Sequence, residues 1–539
     1  MFHWDDTTRF RVSPCEPGDL RHADVVRLVE ELRVVRPEAM RVEPLGESAQ
    51  GRVISSVTIG SGPRKVLAWS QMHGNEPTHT AVLLDLLSLL QNDPQHAGCS
   101  ALLSGCTLRL IVMLNPDGAE LWTRHNALGI DVNRDARSAP SPEGKILKRA
   151  VEEFRPEVAL NLHNQHPRTM VAQSLQLASV ALLVPAVDPQ LSETEGSQLA
   201  KQLASCFRRA VEPHCSGRIA RYRAEYMPRA FGEWVQGQGV ATLLVEVGGW
   251  PGEDDSQLVQ LHFHGLANTL FDLATDNHLQ TDLGLYDSLP LNSEHRLFDR
   301  LIHDVTIVPR GDLPPFAADI GINFPRHNPR LNRTQQTGVI EEIGDLSVTT
   351  GKSVLEGQEL ICLPGRIVHV PEITPLALPD LTAIQQWLAE GVTTLVGRLD
   401  ISQPEELDAL NRLNKQFSLP INLAFVAAVT GGQGGWFDQL PERVVEALSG
   451  GILGFVAGNV VDEEAGCLER LNLSGRGAIG LEMAADVVLL RKKTNNTSLQ
   501  TIDWADLRSV LVGGNVVFDQ GKLIDRPAGT LLTHRWSAS

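Results

Sequence analysis

KVLAWSQMHGNE, residues 65–76, decides how the first half of the chain is read. Lys65 to Ser70 is a short apolar run of the kind that forms a strand buried on both faces. Thr78 to Leu90 (THTAVLLDLLSLL) then reads as an apolar helix that stops before the Asn92-Asp93-Pro94 breaker. His73 and Glu76 therefore fall where a strand ends and a helix begins. Three residues apart, both side chains can turn toward the end of that strand.

The same grammar recurs on either side. Leu108 to Leu114 (LRLIVML) is a buried-strand run closed by Asn115-Pro116-Asp117-Gly118, a strong turn signal. Glu143 to Phe154 is a helix, Glu157 to Leu162 (EVALNL) a strand with His163 at its end, and Val240 to Val247 (VATLLVEV) a strand closed by Gly248-Gly249. Alternating apolar strands and amphipathic helices from residue 1 to about 275 predict an α/β domain on a largely buried mixed sheet. Beyond about 295 short β-rich stretches and many Gly and Pro turns suggest a second domain, so the expected division is 1–290 and 291–539. At 539 residues the chain is too long for one ordinary core.

Composition narrows the function. Apolar residues make up 42% and charged residues 21%, which excludes a mainly disordered chain. A formal charge of −18 with no dense Lys/Arg stripe argues against nucleic acid. Seven cysteines with no CxxC pair suggest neither a disulfide scaffold nor a thiolate metal site. The start, MFHWDDTTRFRV, carries acidic residues where a signal peptide would be basic, and no segment approaches the roughly eighteen apolar residues of a membrane span. The expectation is a cytoplasmic protein without a membrane partner.

Metal-assisted hydrolysis needs nitrogen and oxygen ligands converging on one ion, an open position for water, and a separate carboxylate to carry protons. His73, Glu76, His163 and Glu246 all lie at the ends of strands, where ligands converge in open α/β sheets. Alone, HxxE is weak, because it occurs by chance in many chains of this length. His79 and His166, each three residues beyond a candidate ligand, compete locally and fit the pattern less well. Glu246 in an apolar strand is hard to explain without a partner, since burying an unpaired carboxylate costs about several kcal/mol.

The order of the motifs resembles the M14 zinc carboxypeptidases over roughly residues 45 to 275. It runs HGNE (73–76), NPDG (115–118), Arg124 in LWTRHN, Asn133-Arg134 in GIDVNRD, His163 in ALNLHNQ and Glu246 in LLVEVGGW. The resemblance implies one zinc ion per chain held by His73, Glu76 and His163. It makes Glu246 the carboxylate that takes a proton from the attacking water and returns it to the leaving amine, and Arg124 the group that polarises the scissile carbonyl. Asn133 and Arg134 would clamp the substrate's terminal carboxylate. The family's mobile tyrosine has Tyr226 as its nominee, with Tyr222 nearby. The expected substrate is a small peptide, or an acylated amino acid, with a free carboxylate. Aspartoacylase and succinylglutamate desuccinylase enzymes are similar in the HGNE loop and the Asn-Arg pair, and their N-acyl-amino-acid hydrolysis is the alternative activity.

The second half resembles amidohydrolases, especially N-acyl-D-amino-acid deacylases, in framing segments only: ADIGI (318–322), GVIEEIGDL (338–346), Pro364-Gly365, GVTTLV (391–396), GGILGFVAG (450–458), RGAIGLEMAADVVLL (476–490) and VLVGGNVVFDQGKL (510–523). That likeness implies a small β-sandwich and a barrel. The family's His-x-His pair is missing, however. Val370 and Glu372 stand in its place, His369 is one residue out of step, and no histidine follows until His534. Only about 90 residues separate GVTTLV from AADVVLL, whereas an eight-fold βα barrel needs roughly 200 or more. A truncated, metal-free remnant is expected, serving as cover, as a gate that narrows access to the metal, or as the surface of a homo-oligomer.

Two other classes compete. A catalytically silent binding module should have lost Glu246 or a ligand, and all are present. A deacylase working through the second half needs ligands that half does not carry.

Overall fold

The apolar run at 65–70 becomes the strand Arg64–Ser70, inside an eight-stranded sheet. The protein is described here from a computed structural model covering residues 1–14, 16–251, 256–308, 314–324, 338–358, 360–364, 366–369, 374–389, 392–400, 405–406, 408–410, 412, 422–429, 454–457, 487–491, 507–512, 515–519 and 522–523. The chain divides into two compact units, Met1–Leu297 and Phe298–Ser539.

Strands of the first unit are β1 (Met40–Glu47), β2 (Val53–Ile59), β3 (Arg64–Ser70), β4 (Cys106–Ile111), β5 (Val158–Asn164), β6 (Thr169–Val171), β7 (Val180–Leu183), β8 (Ile219–Arg221), β9 (Ala241–Val247) and β10 (Asn292–Arg296). Across the large sheet the order is β1-β2-β4-β3-β5-β9-β7-β8, while β6 pairs with β10. The four central strands run parallel; β1 and β2 form an antiparallel pair joined antiparallel to β4, and β7 lies antiparallel to β9. The sheet is thus mixed, as the apolar runs lead one to expect.

Helices are α1 (Asp6–Arg9), α2 (His22–Val35), α3 (Thr78–Asn92), α4 (Ala97–Gly105), α5 (Pro116–Leu121), α6 (Pro142–Phe154), α7 (Glu195–Cys215), α8 (Phe231–Gly237) and α9 (Ser256–Ala274). Strand alternation sorts the central side chains onto two faces. Val66, Ala68, Val158, Leu160, Leu162, Leu243 and Val245 join one core with apolar residues of α2, α3, α4, α7 and α9. Leu67, Trp69 and Ala159 join a second core with α6 and α8. Helix α3 is buried from Thr78 to Gln91, which explains its run of leucines. Ser141 caps α6 by accepting from Gly144 N–H at 2.9 Å, with Pro142 at its start.

In the second unit a nine-stranded sheet contains β11 (Phe298–Ile307), β12 (Phe316–Asn323), β13 (Val339–Gly344), β14 (Gly351–Glu356) and β15 (Leu360–Pro364). Four parallel strands follow as a separate sheet: β16 (Arg366–His369), β17 (Val392–Asp400), β18 (Asn422–Val429) and β19 (Gly454–Ala457). Strands β20 (Val487–Arg491), β21 (Leu507–Val512), β22 (Asn515–Asp519) and β23 (Lys522–Leu523) return to the first sheet. Among the described residues no closed barrel forms. Val370 and Glu372, and most of 450–458 and 476–490, lie outside the described residues. No helix is long and apolar enough to cross a membrane among the residues described.

Candidate metal centre

The chain leaves β3 and turns back at once. Gln71 has a positive φ of 50°, and Gly74 sits so close to Gly118 that a Cβ on it would meet the Gly118 carbonyl carbon at 1.9 Å. The HGNE and NPDG loops therefore pack backbone against backbone, and glycine at 74 is a packing requirement. Asn115 ties them together: its Oδ1 accepts from Gly118 N–H at 2.9 Å and its Nδ2 donates to the Met72 carbonyl at 3.2 Å. Asp117 is wholly buried and accepts from Ser48 Oγ (2.7 Å), Gln50 N–H (2.9 Å) and the Arg52 guanidinium (2.6 Å). The NPDG motif thus carries structure, holding the β1–β2 turn against the site.

This turn presents His73 and Glu76 to His163 on β5. Glu76 bridges the two imidazoles, with Oε1 2.9 Å from His73 Nδ1 and Oε2 2.8 Å from His163 Nδ1. One ligand atom from each lies within 4.8 Å of the others, and all three residues are buried. Two imidazole nitrogens and a carboxylate, converging at strand ends, are a donor set suited to zinc. Backbone N–H of Asn164 also donates to Glu76 Oε2 at 3.1 Å. His79, the local competitor, is buried behind the cluster and donates from Nδ1 to the His163 carbonyl at 3.1 Å, so it supports the strand backbone.

The electrostatics favour a cation here. Burial pulls the His73 imidazolium down, but Glu76 and the hydrogen bond that His73 donates to Asp131 outweigh it and hold His73 up at about 9. Burial opposes ionisation of Glu76, yet the flanking His73 and His163 keep it well below the usual carboxylate range. His163 is lowered by its complete burial, against the pull of Glu76. Asp131 is also held below its ordinary value despite burial, by His73 and Arg124.

By sequence Asp131 is a candidate charge partner for Arg124 or Arg134; the structure pairs it with Arg124 and gives it more to do. Its Oδ1 lies 3.0 Å from His73 Nε2 and its Oδ2 accepts from Arg124 Nε at 3.0 Å. A carboxylate on the far nitrogen of a ligand imidazole fixes that ring's tautomer and orientation. Arg124 leans into the cluster as well, with Nη1 3.2 Å from His73 Nδ1 and 3.5 Å from Glu76 Oε1.

Glu246, half-buried on β9, stands opposite His163 in the β5–β9 register. Asp131 also accepts from Asn133 N–H at 2.9 Å, opening the short turn Val132–Arg134. Asn133 is buried, and its Oδ1 accepts from Phe231 N–H at 2.9 Å, at the start of α8. Arg134 donates to the Asn133 carbonyl at 2.8 Å and makes no ion pair among the described residues. Tyr226 is 37% exposed and stands outside this network, whereas Tyr222 donates to Gln165 Oε1 at 3.0 Å, two residues past His163. Seven of the eight nominated side chains are thus linked by contacts or strand register, and Tyr226 is not among them.

Residues 25–213 match the family model for zinc carboxypeptidases (Peptidase_M14). Over this stretch, less than half of the chain, the sequence is similar to the zinc carboxypeptidases. The matched span includes His73, Glu76, Arg124, Asn133, Arg134 and His163, and ends before Glu246. The match supports a hydrolase, and His73, Glu76 and His163 form a group that could hold its zinc. Similar solved structures include a metallo-carboxypeptidase from Pseudomonas aeruginosa in complex with (2-guanidinoethylmercapto)succinic acid, with 20% identity over 48% of this chain and 69% of its own and a TM-score of 0.39. A metallo-carboxypeptidase from Burkholderia cenocepacia matches at 17% identity over 48% and 69%, with a TM-score of 0.38. Carboxypeptidase A from Helicoverpa armigera matches at 14% identity over 53% and 80%, with a TM-score of 0.39. No match is found among curated proteins.

Proposed function

We propose that the first unit is a zinc metallocarboxypeptidase that removes the terminal residue of a short peptide. The observation that carries this reading is the convergence of one ligand atom each from His73, Glu76 and His163 within 4.8 Å, beside a glutamate in register with His163. His73, Glu76 and His163 would hold the ion, which when bound supplies Lewis-acid polarisation and makes water acidic enough to deprotonate near neutral pH.

The chain's own residues do the rest. Glu246, half-buried, accepts a proton at a carboxylate oxygen and gives it to the leaving amine. Arg124 is oriented by Asp131 and presents its guanidinium to the carbonyl oxygen, where negative charge develops. Arg134, free of a carboxylate partner in the described residues, receives the substrate's terminal carboxylate, with Asn133 beside it. We also keep the cytoplasm as the compartment, supported by five described cysteines that are buried and unpaired. The second unit is read as a metal-free amidohydrolase-like remnant, on the strength of its sequence likeness alone.

The test is zinc content together with hydrolysis of short peptides and N-acylated amino acids, with L and D terminal residues, in wild type and Glu246→Gln. About one zinc per chain and turnover that collapses in the variant is the expected result. A well-folded protein that binds no metal would overturn the proposal. Turnover confined to N-acylated amino acids would move it to the aspartoacylase-like activity.

A further inference from the structure

Strand β5 carries a second polar side chain on the face that bears His163. Asn161 lies two residues earlier, so it points to the same side about 6.8 Å further down the strand. Across the sheet it is flanked in register by Trp69 on β3 and Leu244 on β9, forming a row directly beneath the His163–Glu246 row. Asn161 and Trp69 are wholly buried, and Asn161 Nδ2, Asn161 Oδ1 and Trp69 Nε1 have no hydrogen-bond partner. Three orphaned polar atoms in one row are unusual, since each costs about 1–3 kcal/mol.

The elements covering this row lead straight to the residues assigned to the terminal carboxylate. A Cβ on Gly232 would come within 3.5 Å of Asn161 Nδ2 and 3.0 Å of Pro185 Cγ, so the start of α8 lies on the Asn161 amide. The preceding residue, Phe231, donates its N–H to Asn133 Oδ1. The path from the carboxylate clamp to the orphaned amide therefore runs through two consecutive residues of one helical turn.

Resting on the carboxypeptidase reading, we propose that Asn161 is the specificity-determining residue of the enzyme, receiving an uncharged hydrogen-bonding side chain, amide or hydroxyl, from the substrate's terminal residue. A terminal residue with its carboxylate at Asn133 and Arg134 and its amide at the metal group has its side chain aimed at the row below. That row offers the indole N–H donor of Trp69 and both a donor and an acceptor on Asn161, and it holds no charged group to balance an ionic side chain. Glu233, on the same turn of α8 as Gly232, is raised by burial to about 7, which disfavours a fixed charge there. Because the amide is covered, the first turn of α8 shifts as the side chain enters. The Phe231–Asn133 bond couples that shift to carboxylate binding.

The test compares kcat/KM of the zinc-loaded full chain for blocked dipeptides ending in Gln, Asn, Ser, Leu, Phe, Lys and Glu, in wild type, Asn161→Leu and Asn161→Ser. It adds calorimetric binding of the free amino acids Gln and Leu to each protein. Wild type is expected to favour Gln or Asn over Leu by about tenfold to a hundredfold, the penalty of leaving the row unpaired. Asn161→Leu should reverse that ratio, with the same reversal in amino-acid binding. Asn161→Ser keeps a polar floor should the leucine variant not fold, and should move preference from Asn toward the longer Gln. Turnover with an apolar or charged preference, or a ranking unchanged in both variants, overturns this inference and leaves the amide a structural group solvated by internal water. Absence of turnover on every substrate overturns the carboxypeptidase reading itself, and this inference with it.

Discussion

Glu246 lies directly across from His163 in the parallel register of β5 and β9, on the same face of the sheet. Adjacent parallel strands stand about 4.8 Å apart, so the Glu246 carboxylate is set beside His163 by sheet hydrogen bonds and not by a mobile loop. Because Glu246 is not itself one of the three grouped ligands, its replacement separates chemistry from metal binding. Glu246→Gln should lower kcat by roughly 10²–10⁴-fold while zinc stoichiometry is unchanged, measured by steady-state kinetics alongside elemental analysis. Loss of zinc in the variant would instead make Glu246 a ligand.

Asp131 accepts from two groups of the site at once, the His73 ring and the Arg124 guanidinium. Replacing it by asparagine keeps the shape and removes the charge that orients both. Zinc affinity of Asp131→Asn, read by competition with a chelating dye, should fall by about 10–100-fold. Turnover at saturating zinc should fall as well, because Arg124 loses its anchor. Unchanged zinc affinity would show that Asp131 serves Arg124 alone.

Gly74 has no room for a side chain, with the Gly118 carbonyl carbon at 1.9 Å from any Cβ. Gly74→Ala must push the HGNE and NPDG loops apart, and overpacking of this kind costs about 1–3 kcal/mol or more. Denaturant unfolding of the metal-free variant should show that loss, and zinc binding should weaken with it because His73 and Glu76 flank the displaced residue. Full stability in the variant would mean the two loops are not packed as described.

How much of this could be read without coordinates depended on where the signal was local. HGNE, NPDG and the apolar strands announce themselves because turn chemistry and burial leave compositional marks, and β3, β5, β9 and α3 appear within a few residues of the expected bounds. Strand β7 did not, since its four residues lie in a stretch, QSLQLASVALLVPAVDPQ, that reads as an insertion; only antiparallel pairing with β9 reveals it. Asn161, and the contact of Asp131 with His73, were illegible for the same reason. One is an acidic residue among others and one an asparagine in a strand, and their importance comes from partners 58 residues away in one case and from the lack of any in the other. Tyr226 was nominated by its spacing before Glu246, and it stands 37% exposed.

Glu233 gives the protein a stability dependence that can be worked out with its sign. It is 8% exposed on α8, and burial raises its carboxyl to about 7, with Arg134 acting weakly against that rise. In the unfolded chain the same group titrates near the ordinary glutamate value of about 4.3. Between those two values the folded state binds the extra proton, so this group's contribution to stability falls as pH rises and is fully lost above about 7. Glu233→Gln removes the titration and stays neutral throughout. The variant should match wild type below about pH 4 and exceed it on the order of 1–3 kcal/mol at pH 8. Denaturant midpoints measured on the metal-free forms across that range are the check, and a stability difference that does not grow with pH would mean Glu233 is ionised in the folded protein at neutral pH.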